Sequence, residues 1–483
     1  MLISKKRVKN RYIKILIFVM IIYFLVFGLL SSLSHYSLNS GRDMKLTQES
    51  LYNTFNGEFL YVEYFNSNRL SDHFFLTMIF ILPIYYLLPS AYTLLFLQTF
   101  AITIGAIIIF FLAEDKLKSK KLSLFISLTY LLSLNLASLQ FQEVRMISFG
   151  IPLFLFALLF LEKENYVLFT IFLILTASVK ETMFLIIIPF SFYVYTKDKN
   201  IGIRVFLSST LAFLLIIFII MPNIGNAEDR SYRHFSKYSY IGEDSIEITK
   251  NVLENPDIIL KLESGESKRV PEYLFNTIKF NHFIPILSPF SLIAVPTLMI
   301  NIASDSVFQQ YALGYHTTKL TPIFFFSIIL VLSKLKCVLT KRFLEILAIS
   351  IFIFSFLYFL IYGIPSIKLE IQDCSTKDYI PTIYSEIRCY NNTLKDYKDI
   401  HQYINSIPKN ATLRATFRFQ AYFPERGVIR WWPSNPDYDS KYLLIDVKDF
   451  ELNDPLIKEA NKEILSSGYK IDYQKNNIYL YSK

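Results

Sequence analysis

The chain has 483 residues, of which 53% are apolar and 18% charged, and its net charge is +9. A soluble protein carries about 25% charged residues, so this composition excludes an ordinary soluble enzyme and indicates an integral membrane protein. The positive charge does not indicate nucleic acid as a partner. Lysines and arginines cluster in short segments between apolar runs, which is typical of cytoplasmic loops, and the sequence lacks a basic face with interleaved stacking aromatics.

The N-terminus is basic from Lys5 to Lys14, and an apolar run then continues to about Leu33. A signal peptide has an apolar stretch of about 7–15 residues that ends in small residues. This run is longer and ends at Leu33-Ser34-His35 without such a site. It therefore predicts a retained first span with a cytoplasmic N-terminus, and a protein that resides in the cell membrane.

Apolar runs recur along the chain up to residue 363. They fall at about 12–33, 74–113, 122–140, 146–161, 166–196, 203–221, 284–303, 318–336 and 343–363. All the basic clusters lie in the cytoplasm if 74–88 and 284–303 do not fully cross and if 166–196 is a hairpin. We therefore predict about nine crossings, with two further segments in or near the outer leaflet.

The run at 166–196 is interrupted by Lys180-Glu181. In a hairpin that turns there, each arm has about 15 residues and reaches about 22 Å into a hydrocarbon core about 30 Å thick. The tip would then be recessed inside a protein cavity. The alternative is one long tilted helix, which would place the following loops on the wrong side for their charge.

Two regions follow from this pattern. Residues 1–363 form a polytopic membrane domain with outer loops at about 34–73 and 222–283, and residues 364–483 form an extracytoplasmic α/β domain. In the second region, apolar spacing predicts helices at 395–406 and 453–467. Alternating residues predict strands at 412–419, 428–432, 441–446, 469–473 and 478–481.

Seven charged or polar groups fall on the outer side in this topology. They are Asp43, Asp72, His73, Glu143, Arg145, Lys180 and Glu181. Charge near the bilayer centre costs about 2.5–3.5 kcal/mol per group even on lenient scales, so Lys180 and Glu181 need partners or a wet cavity. The group is a candidate site, although Asp43 alone reads as a loop residue and Glu143 with Arg145 reads equally as a local ion pair in a turn.

Basic groups beside carboxylates suit an anionic substrate. Lysine or arginine binds phosphate, and a carboxylate can act as general base toward a hydroxyl. The histidines lack a metal-ligand spacing such as i, i+4, so we expect no metal and no cofactor. Cys374 and Cys389 both fall in the outer region, and a disulfide between them would close a loop of about 15 residues and stabilise by about 3 kcal/mol.

An ordered set of short elements resembles a known family. Asp43, Gln48 and His73 lie in the first outer loop, and Pro89-Ser90, Gln98, Glu143-Val144-Arg145 and Pro152 follow. Further elements are Lys180-Glu181, the stretch from Pro285 to Pro296, Asn301, Arg426, Trp432-Pro433 and Tyr442 to Asp446. This order is similar to that of a family of uncharacterised prokaryotic polytopic membrane proteins, domain of unknown function 2079, which is grouped with the GT-C glycosyltransferases.

The resemblance implies a GT-C-like fold. Such enzymes take a sugar from a polyprenyl-phosphate carrier at the outer membrane face, and an acidic residue of the first outer loop activates the acceptor. It thus implies Asp43 as base, His73 as a second catalytic residue, and Lys180, Glu181, Arg145, Glu143, Asp72 and Gln48 as substrate-binding residues. The family has Asp and His where this chain has Glu143 and Arg145, so a histidine acid or base is lost there.

Three functions compete at this point. The first is a glycosyltransferase that uses a lipid-linked sugar. The second is a transporter or flippase, which predicts duplicated halves that the sequence does not show. The third is a non-catalytic scaffold that presents the outer domain. The sugar, the acceptor and the oligomeric state do not follow from the sequence.

Overall fold

The computed structural model describes most of the chain. The described residues are 2–141, 143–225, 232–260, 270–306, 309–363, 374–376, 387–389, 394–425, 429–430, 439–446, 454–475 and 478–483. Arg426 and Trp432-Pro433, which belong to the resemblance, lie outside these ranges.

The first 363 residues are almost entirely helical. The helices of the first half are α1 (Leu2–Tyr36), α2 (Arg42–Phe55), α3 (Met78–Leu87), α4 (Ala91–Leu117), α5 (Lys120–Leu131), α6 (Leu134–Phe141), α7 (Ile147–Glu162), α8 (Tyr166–Ala177) and α9 (Phe184–Lys197). Those of the second half are α10 (Lys199–Leu215), α11 (Met221–Ile224), α12 (Ser245–Glu254), α13 (Val270–Lys279), α14 (Val295–Ala303), α15 (Tyr315–Thr318), α16 (Thr321–Leu335) and α17 (Lys341–Tyr358).

Five helical segments among the described residues are long and apolar enough to cross a bilayer. They are Arg11–Tyr36, Ala91–Leu117, Lys120–Phe141, Lys199–Ile224 and Lys341–Gly363. Shorter apolar helices occur at Met78–Leu87, Ile147–Glu162, Tyr166–Ala177, Pro289–Ala303 and Thr321–Leu335. A span needs about 20 residues, so the structure is that of a helical membrane protein, and nine crossings stay a prediction.

The predicted non-crossing segments are short and irregular. Helix α3 has only 10 residues and contains Pro83. The chain at Pro289–Ala294 is 3₁₀-helical before the nine-residue α14 begins. Proline removes a backbone donor and limits helix continuation, which explains why neither apolar run forms one long helix.

The run at 166–196 folds as a hairpin. Helix α8 ends at Ala177, a 3₁₀ turn follows at Glu181–Met183, and α9 begins at Phe184. The Phe169 ring of α8 lies 6.3 Å from the Phe190 ring of α9. At the open end of the hairpin, Lys197 Nζ lies 3.0 Å from Glu162 Oε2. The tip is recessed, since Lys180 is 6% exposed and Glu181 is 0% exposed.

Apolar side chains form one large core between these helices. It includes Ile102, Phe154, Phe190 and Phe326, each almost fully buried. The outward faces carry exposed apolar residues such as Phe18, Leu29 and Leu211. In water these faces would be unfavourable, and they fit contact with lipid tails.

The C-terminal region forms a small mixed sheet with helices α18 (Leu394–Ser406), α19 (Phe417–Gln420) and α20 (Asp454–Ser466). Its strands are β5 (Leu413–Ala415), β6 (Ile429–Arg430), β7 (Tyr442–Asp446), β8 (Lys470–Lys475) and β9 (Ile478–Ser482), in the order β6-β5-β7-β9-β8. Two smaller ribbons pair β1 (Tyr61–Val62) with β2 (Ser67–Asn68), and β3 (Cys374–Thr376) with β4 (Ile387–Cys389).

The predicted elements of this region match where the structure describes them, with one correction, and residues 428, 431 and 432 of the strand predicted at 428–432 lie outside the described residues. The strand expected at 412–419 ends at Ala415, and the chain then turns into α19. The turn lets Phe419 enter the apolar core of the sheet, where it is fully buried. The alternation of apolar and polar residues therefore overestimated the length of this strand.

The sheet region docks on α2 and on the end of α1 through specific hydrogen bonds. Lys45 Nζ donates to the Phe423 carbonyl at 2.8 Å, and Gln48 Nε2 donates to the Ala421 carbonyl at 2.8 Å. His401 Nε2 lies 2.8 Å from the Tyr36 carbonyl at the end of α1. Because Lys45 and Gln48 belong to α2, the docked region fixes the helix that carries Asp43.

Candidate functional site

Helix α2 presents Asp43 in its first turn. The helix lacks a cap from its own chain neighbour, and Glu143 supplies one from the loop after α6. Glu143 Oε2 accepts from the backbone amides of Gly41 at 2.9 Å and Met44 at 2.8 Å. A carboxylate at a helix N-terminus is stabilising. Glu143, predicted to bind substrate, is therefore placed to position Asp43.

Two guanidinium groups hold the Asp43 carboxylate. Arg145 Nη1 donates to Asp43 Oδ2, and Arg69 Nη2 lies 3.5 Å from Asp43 Oδ1. Arg145 Nη2 also donates to Glu143 Oε1 at 3.1 Å. Charge-assisted bonds of this kind favour the ionised carboxylate. Arg145 thus makes a direct ion pair with Asp43.

Arg69 extends the network toward Asp72. Its side chain is buried, and Nη1 donates to Asp72 Oδ2. His234, from the second outer loop, donates through Nε2 to the Asp72 carbonyl at 3.0 Å. Burial favours the neutral acid, but His73, Arg69 and His234 outweigh it and hold the pKa of the Asp72 carboxyl well below its usual range.

His73 is held by the tip of the 166–196 hairpin. Its Nδ1 lies 2.9 Å from Glu181 Oε1, and Glu181 Oε2 accepts from the backbone amide of Phe74 at 2.9 Å. Tyr232 donates to Glu181 Oε1 at 3.0 Å. Glu181 is 0% exposed and its two oxygens accept from three donors, so it positions His73 and the Phe74 amide.

The other nitrogen of His73 faces Lys180. Lys180 Nζ lies 3.2 Å from His73 Nε2. Burial and then the Lys180 charge lower the pKa of His73 to about 3, so the imidazole is neutral near pH 7. With its Nδ1 proton donated to Glu181, His73 carries its lone pair on Nε2, which accepts from the Lys180 ammonium group. A lone pair on an oriented imidazole is suited to accept a proton.

Two cavities meet at His73 and Lys180. The smaller has a volume of about 30 Å³, and its wall includes Asp43, Arg69, Arg145 and Tyr315. The larger has a volume of about 290 Å³ and shares His73 and Lys180 with the first. The lysine is also close to aromatic faces, with Nζ 5.8 Å from the Tyr315 ring centre.

Apolar residues form much of the wall of the larger cavity. They include Leu185 of α9, Phe213 of α10, and Ile217 in the π-helical segment Ile216–Ile220 that continues α10. The next residues of that segment, Phe218 and Ile219, are exposed on its outer face. This cavity is thus bounded by a helix whose far side has the apolar character of a lipid-facing surface.

The larger cavity also contains Lys237 and Lys319. Lys237 lies in the 3₁₀ segment Arg233–Tyr238, and Lys319 precedes α16. Of the described residues in the cavity wall, Glu181 is the one acid. We name Lys180, Lys237 and Lys319 the lysine triad.

The comparisons with known proteins agree with the architecture. A family model described as a predicted membrane protein, DUF2079, matches residues 34–480. The chain belongs to the DUF2079 family. No curated protein matches it. The matched residues include both outer loops, the hairpin tip and the docked sheet, so the two cavities lie within the DUF2079 homology region.

Three side chains of the site are close enough together to hold a metal ion. Asp72, His73 and His234 each offer one ligand atom, and these atoms lie within 4.8 Å of one another. The ring centres of the two histidines are 4.3 Å apart in a stacked arrangement. However, Lys180 occupies the free nitrogen of His73 and Arg69 binds Asp72. Because two cations already fill this position, the surroundings favour an anion over a metal.

The structure joins six of the eight predicted site residues in or beside the cavities. Asp43, His73, Arg145, Lys180 and Glu181 line them directly, and Asp72 holds Arg69. Glu143 caps α2 instead. Gln48 is buried against Ala421 and lines neither cavity. Gln48 and Glu143 thus make structural contacts, and their contact with a substrate stays a prediction.

Sequence reasoning missed Arg69, His234, Tyr315, Lys237 and Lys319. A signal existed for Lys319, which precedes an apolar run on the predicted outer side, where lysine is disfavoured. His234 gave no such signal, because its partner Asp72 is 162 residues away.

Proposed function

We propose that this protein is a GT-C-like glycosyltransferase that moves a sugar from a polyprenyl-phosphate carrier to an acceptor at the outer face of the membrane. The observation that carries the proposal is the meeting of two unlike cavities at His73 and Lys180. The larger cavity is apolar and basic, which suits a lipid phosphate. The smaller cavity contains the Asp43 carboxylate, which suits a hydroxyl acceptor.

The larger cavity is the carrier site in this proposal. Lys180 binds the phosphate at the junction, and the apolar wall from Leu185 to Ile217 receives the first units of the prenyl chain. Ammonium groups bind phosphate as point charges. The long remainder of the chain stays in lipid, beside the exposed outer face of α10.

The smaller cavity is the acceptor site. Asp43 and Arg145 present an acceptor and a donor side by side, as recognition of a sugar hydroxyl requires. The acceptor oxygen attacks the anomeric carbon, the bond from that carbon to the carrier phosphate oxygen breaks, and the hydroxyl proton passes to a base. The negative charge left on the carrier phosphate stays beside Lys180.

Two residues can receive the proton, and the geometry supports His73. The resemblance assigns this role to Asp43, but both Asp43 oxygens face guanidinium groups. His73 lines both cavities, and its Nε2 lone pair, which accepts from Lys180, becomes available when Lys180 turns to a bound phosphate. A bound phosphate neutralises Lys180, the charge that depresses the proton affinity of His73. Carrier binding would therefore make His73 a better base, while Asp43 orients the acceptor.

The test uses purified protein in proteoliposomes with polyprenyl-phosphate glucose and polyprenyl-phosphate mannose as donors. Release of the carrier phosphate measures turnover. We expect His73→Asn to reduce the rate by about 10²-fold or more and Asp43→Asn to reduce it by about 10-fold. Asp257→Asn, an exposed carboxylate of the second outer loop, is the matched control.

Unchanged rates in both Asp43→Asn and His73→Asn would contradict the assignment. Passage of the intact donor across the bilayer without release of the carrier phosphate would replace it with transport. Thermal unfolding of each variant in detergent shows whether a loss of turnover comes from a loss of fold.

A further inference from the structure

The lysine triad is an unusual charge arrangement for a half-enclosed cavity. Lys180 and Lys319 are 6% and 4% exposed, and among the described residues none of the three lysines has a carboxylate within 4.0 Å of its ammonium group. Lys319 Nζ has a carbonyl neighbour, that of Thr182, at 3.3 Å. Buried ammonium groups without counter-ions destabilise the folded protein, so this arrangement favours binding of an anion.

Glu181 does not neutralise the triad. Its two oxygens accept from His73, the Phe74 amide and Tyr232. The described wall of the cavity therefore has three lysines and one carboxylate, an excess of basic groups that an anion can pair with. The nearby histidines do not offset this excess, because a neutral imidazole carries no negative charge.

We propose that the lysine triad binds the diphosphate group of an apolar carrier, so that the physiological donor is diphosphate-linked. This proposal deepens the proposed function and rests on it, because the bound carrier is a sugar donor only if the protein is a transferase. A sugar linked through one phosphate carries one negative charge, whereas a sugar linked through a diphosphate carries two. The second pairs with more of the excess basic groups in the described wall of the cavity.

The position of the three lysines supports a two-phosphate occupant. Lys180 lies at the junction with the acceptor cavity and also lines it, whereas Lys237 and Lys319 line the larger cavity alone. A phosphate beside Lys180 would be the one attached to the sugar. The second phosphate would then lie deeper, next to Lys237 and Lys319, and would lead into the apolar wall at Phe213 and Ile217.

The experiment measures binding of four probes to the full-length protein in detergent by isothermal titration calorimetry. The probes are farnesyl diphosphate, farnesyl monophosphate, inorganic diphosphate and farnesol. We expect farnesyl diphosphate to bind at least about 10-fold more tightly than farnesyl monophosphate, and inorganic diphosphate and farnesol to bind more weakly than either. Lys319→Met and Lys237→Met should reduce this preference to less than about 3-fold. Lys334→Met, at the exposed far end of α16, should leave it unchanged.

Equal or tighter binding of farnesyl monophosphate would overturn the inference, as would a preference that survives both Lys319→Met and Lys237→Met in folded protein. The outcome is separable from that of the proposed function. Turnover of a monophosphate-linked sugar without diphosphate preference would keep the transferase and reject the diphosphate. A triad-dependent diphosphate preference without any sugar transfer would keep the binding site and reject the transferase.

Discussion

Glu181 and His73 form a hydrogen-bonded pair, 2.9 Å between Oε1 and Nδ1, although 108 residues separate them in sequence. The pair links the first outer loop to the tip of the α8–α9 hairpin. It also fixes which imidazole nitrogen faces the cavities. A carboxylate that holds an imidazole in one tautomer is a positioning residue, and that role is testable apart from substrate binding.

We expect Glu181→Gln to reduce turnover by about 10- to 100-fold with little change in farnesyl diphosphate affinity. A glutamine amide can donate to His73 Nδ1 and favour the wrong tautomer, but it leaves the lysine triad in place. The pH profile of the turnover rate is the decisive measurement. If Glu181 only stabilises the fold, the profile keeps its shape and the melting temperature falls. A shift of the acidic limb of the profile, with partial recovery in Glu181→Asp, supports positioning.

The hairpin was predictable because both of its signals lie close together in the sequence. Lys180-Glu181 interrupts an apolar run, and the positive charges at the two ends of the run place both ends on the same side of the membrane. What the hairpin tip contacts was not predictable, because His73, Tyr232 and Lys319 come from three distant segments. The contact of Gln48 was not predictable for the same reason, because its partner also lies in a distant segment. Its place in the motif suggested substrate, and only the docked sheet shows the Ala421 carbonyl that it binds.

The sheet region was predictable for a different reason. Its helices and strands have the periodicity of a soluble domain, and helix α18 lies within one residue of the predicted bounds. Its docking could not be predicted, because donors such as Lys45 and His401 bind carbonyl oxygens, which every residue has. Short-range pattern thus defined the elements, and long-range hydrogen bonds defined the site.

Lys319→Met should raise the thermal stability while it weakens binding of farnesyl diphosphate. Lys319 is 4% exposed in the folded protein, and burial of an ammonium group is destabilising. Methionine removes the charge and keeps an apolar side chain of similar length. Melting temperatures in detergent check the change, with Lys334→Met as control. A lower melting temperature in Lys319→Met than in the native protein would contradict it.

Docking of the sheet region should matter for the acceptor site and not for the carrier site. Gln48→Ala removes the bond to the Ala421 carbonyl and loosens α2, which carries Asp43. We expect about 3- to 10-fold slower turnover, faster proteolysis between the two regions, and unchanged affinity for farnesyl diphosphate. Gln474→Ala, on the outer strand β8, is the control. Equal loss of carrier affinity in Gln48→Ala would show that the effect is global.

The backbone pairing places Cys374 directly opposite Cys389 in the β3–β4 ribbon. Residues directly opposite on antiparallel strands have Cα atoms about 4.5–5.5 Å apart, within the range that a disulfide spans. We expect non-reducing mass spectrometry to find a Cys374–Cys389 linked peptide. Both thiols alkylated in protein extracted under alkylating conditions would reject the disulfide.

The orientation of the membrane domain can be read from the remaining thiol. Cys337 is exposed, follows the end of α16, and has lysines at 334 and 336 beside it. The positive-inside bias places this loop in the cytoplasm, and the two cavities then open on the opposite side. A membrane-impermeant maleimide should therefore leave Cys337 unlabelled in intact cells and label it in inverted vesicles. Asp257→Cys, in the second outer loop, should show the reverse pattern. Labelling of Cys337 in intact cells would show that the orientation is the opposite of the predicted one. Asp43, His73 and the lysine triad would then face the cytoplasm, where a carrier at the outer face could not reach them.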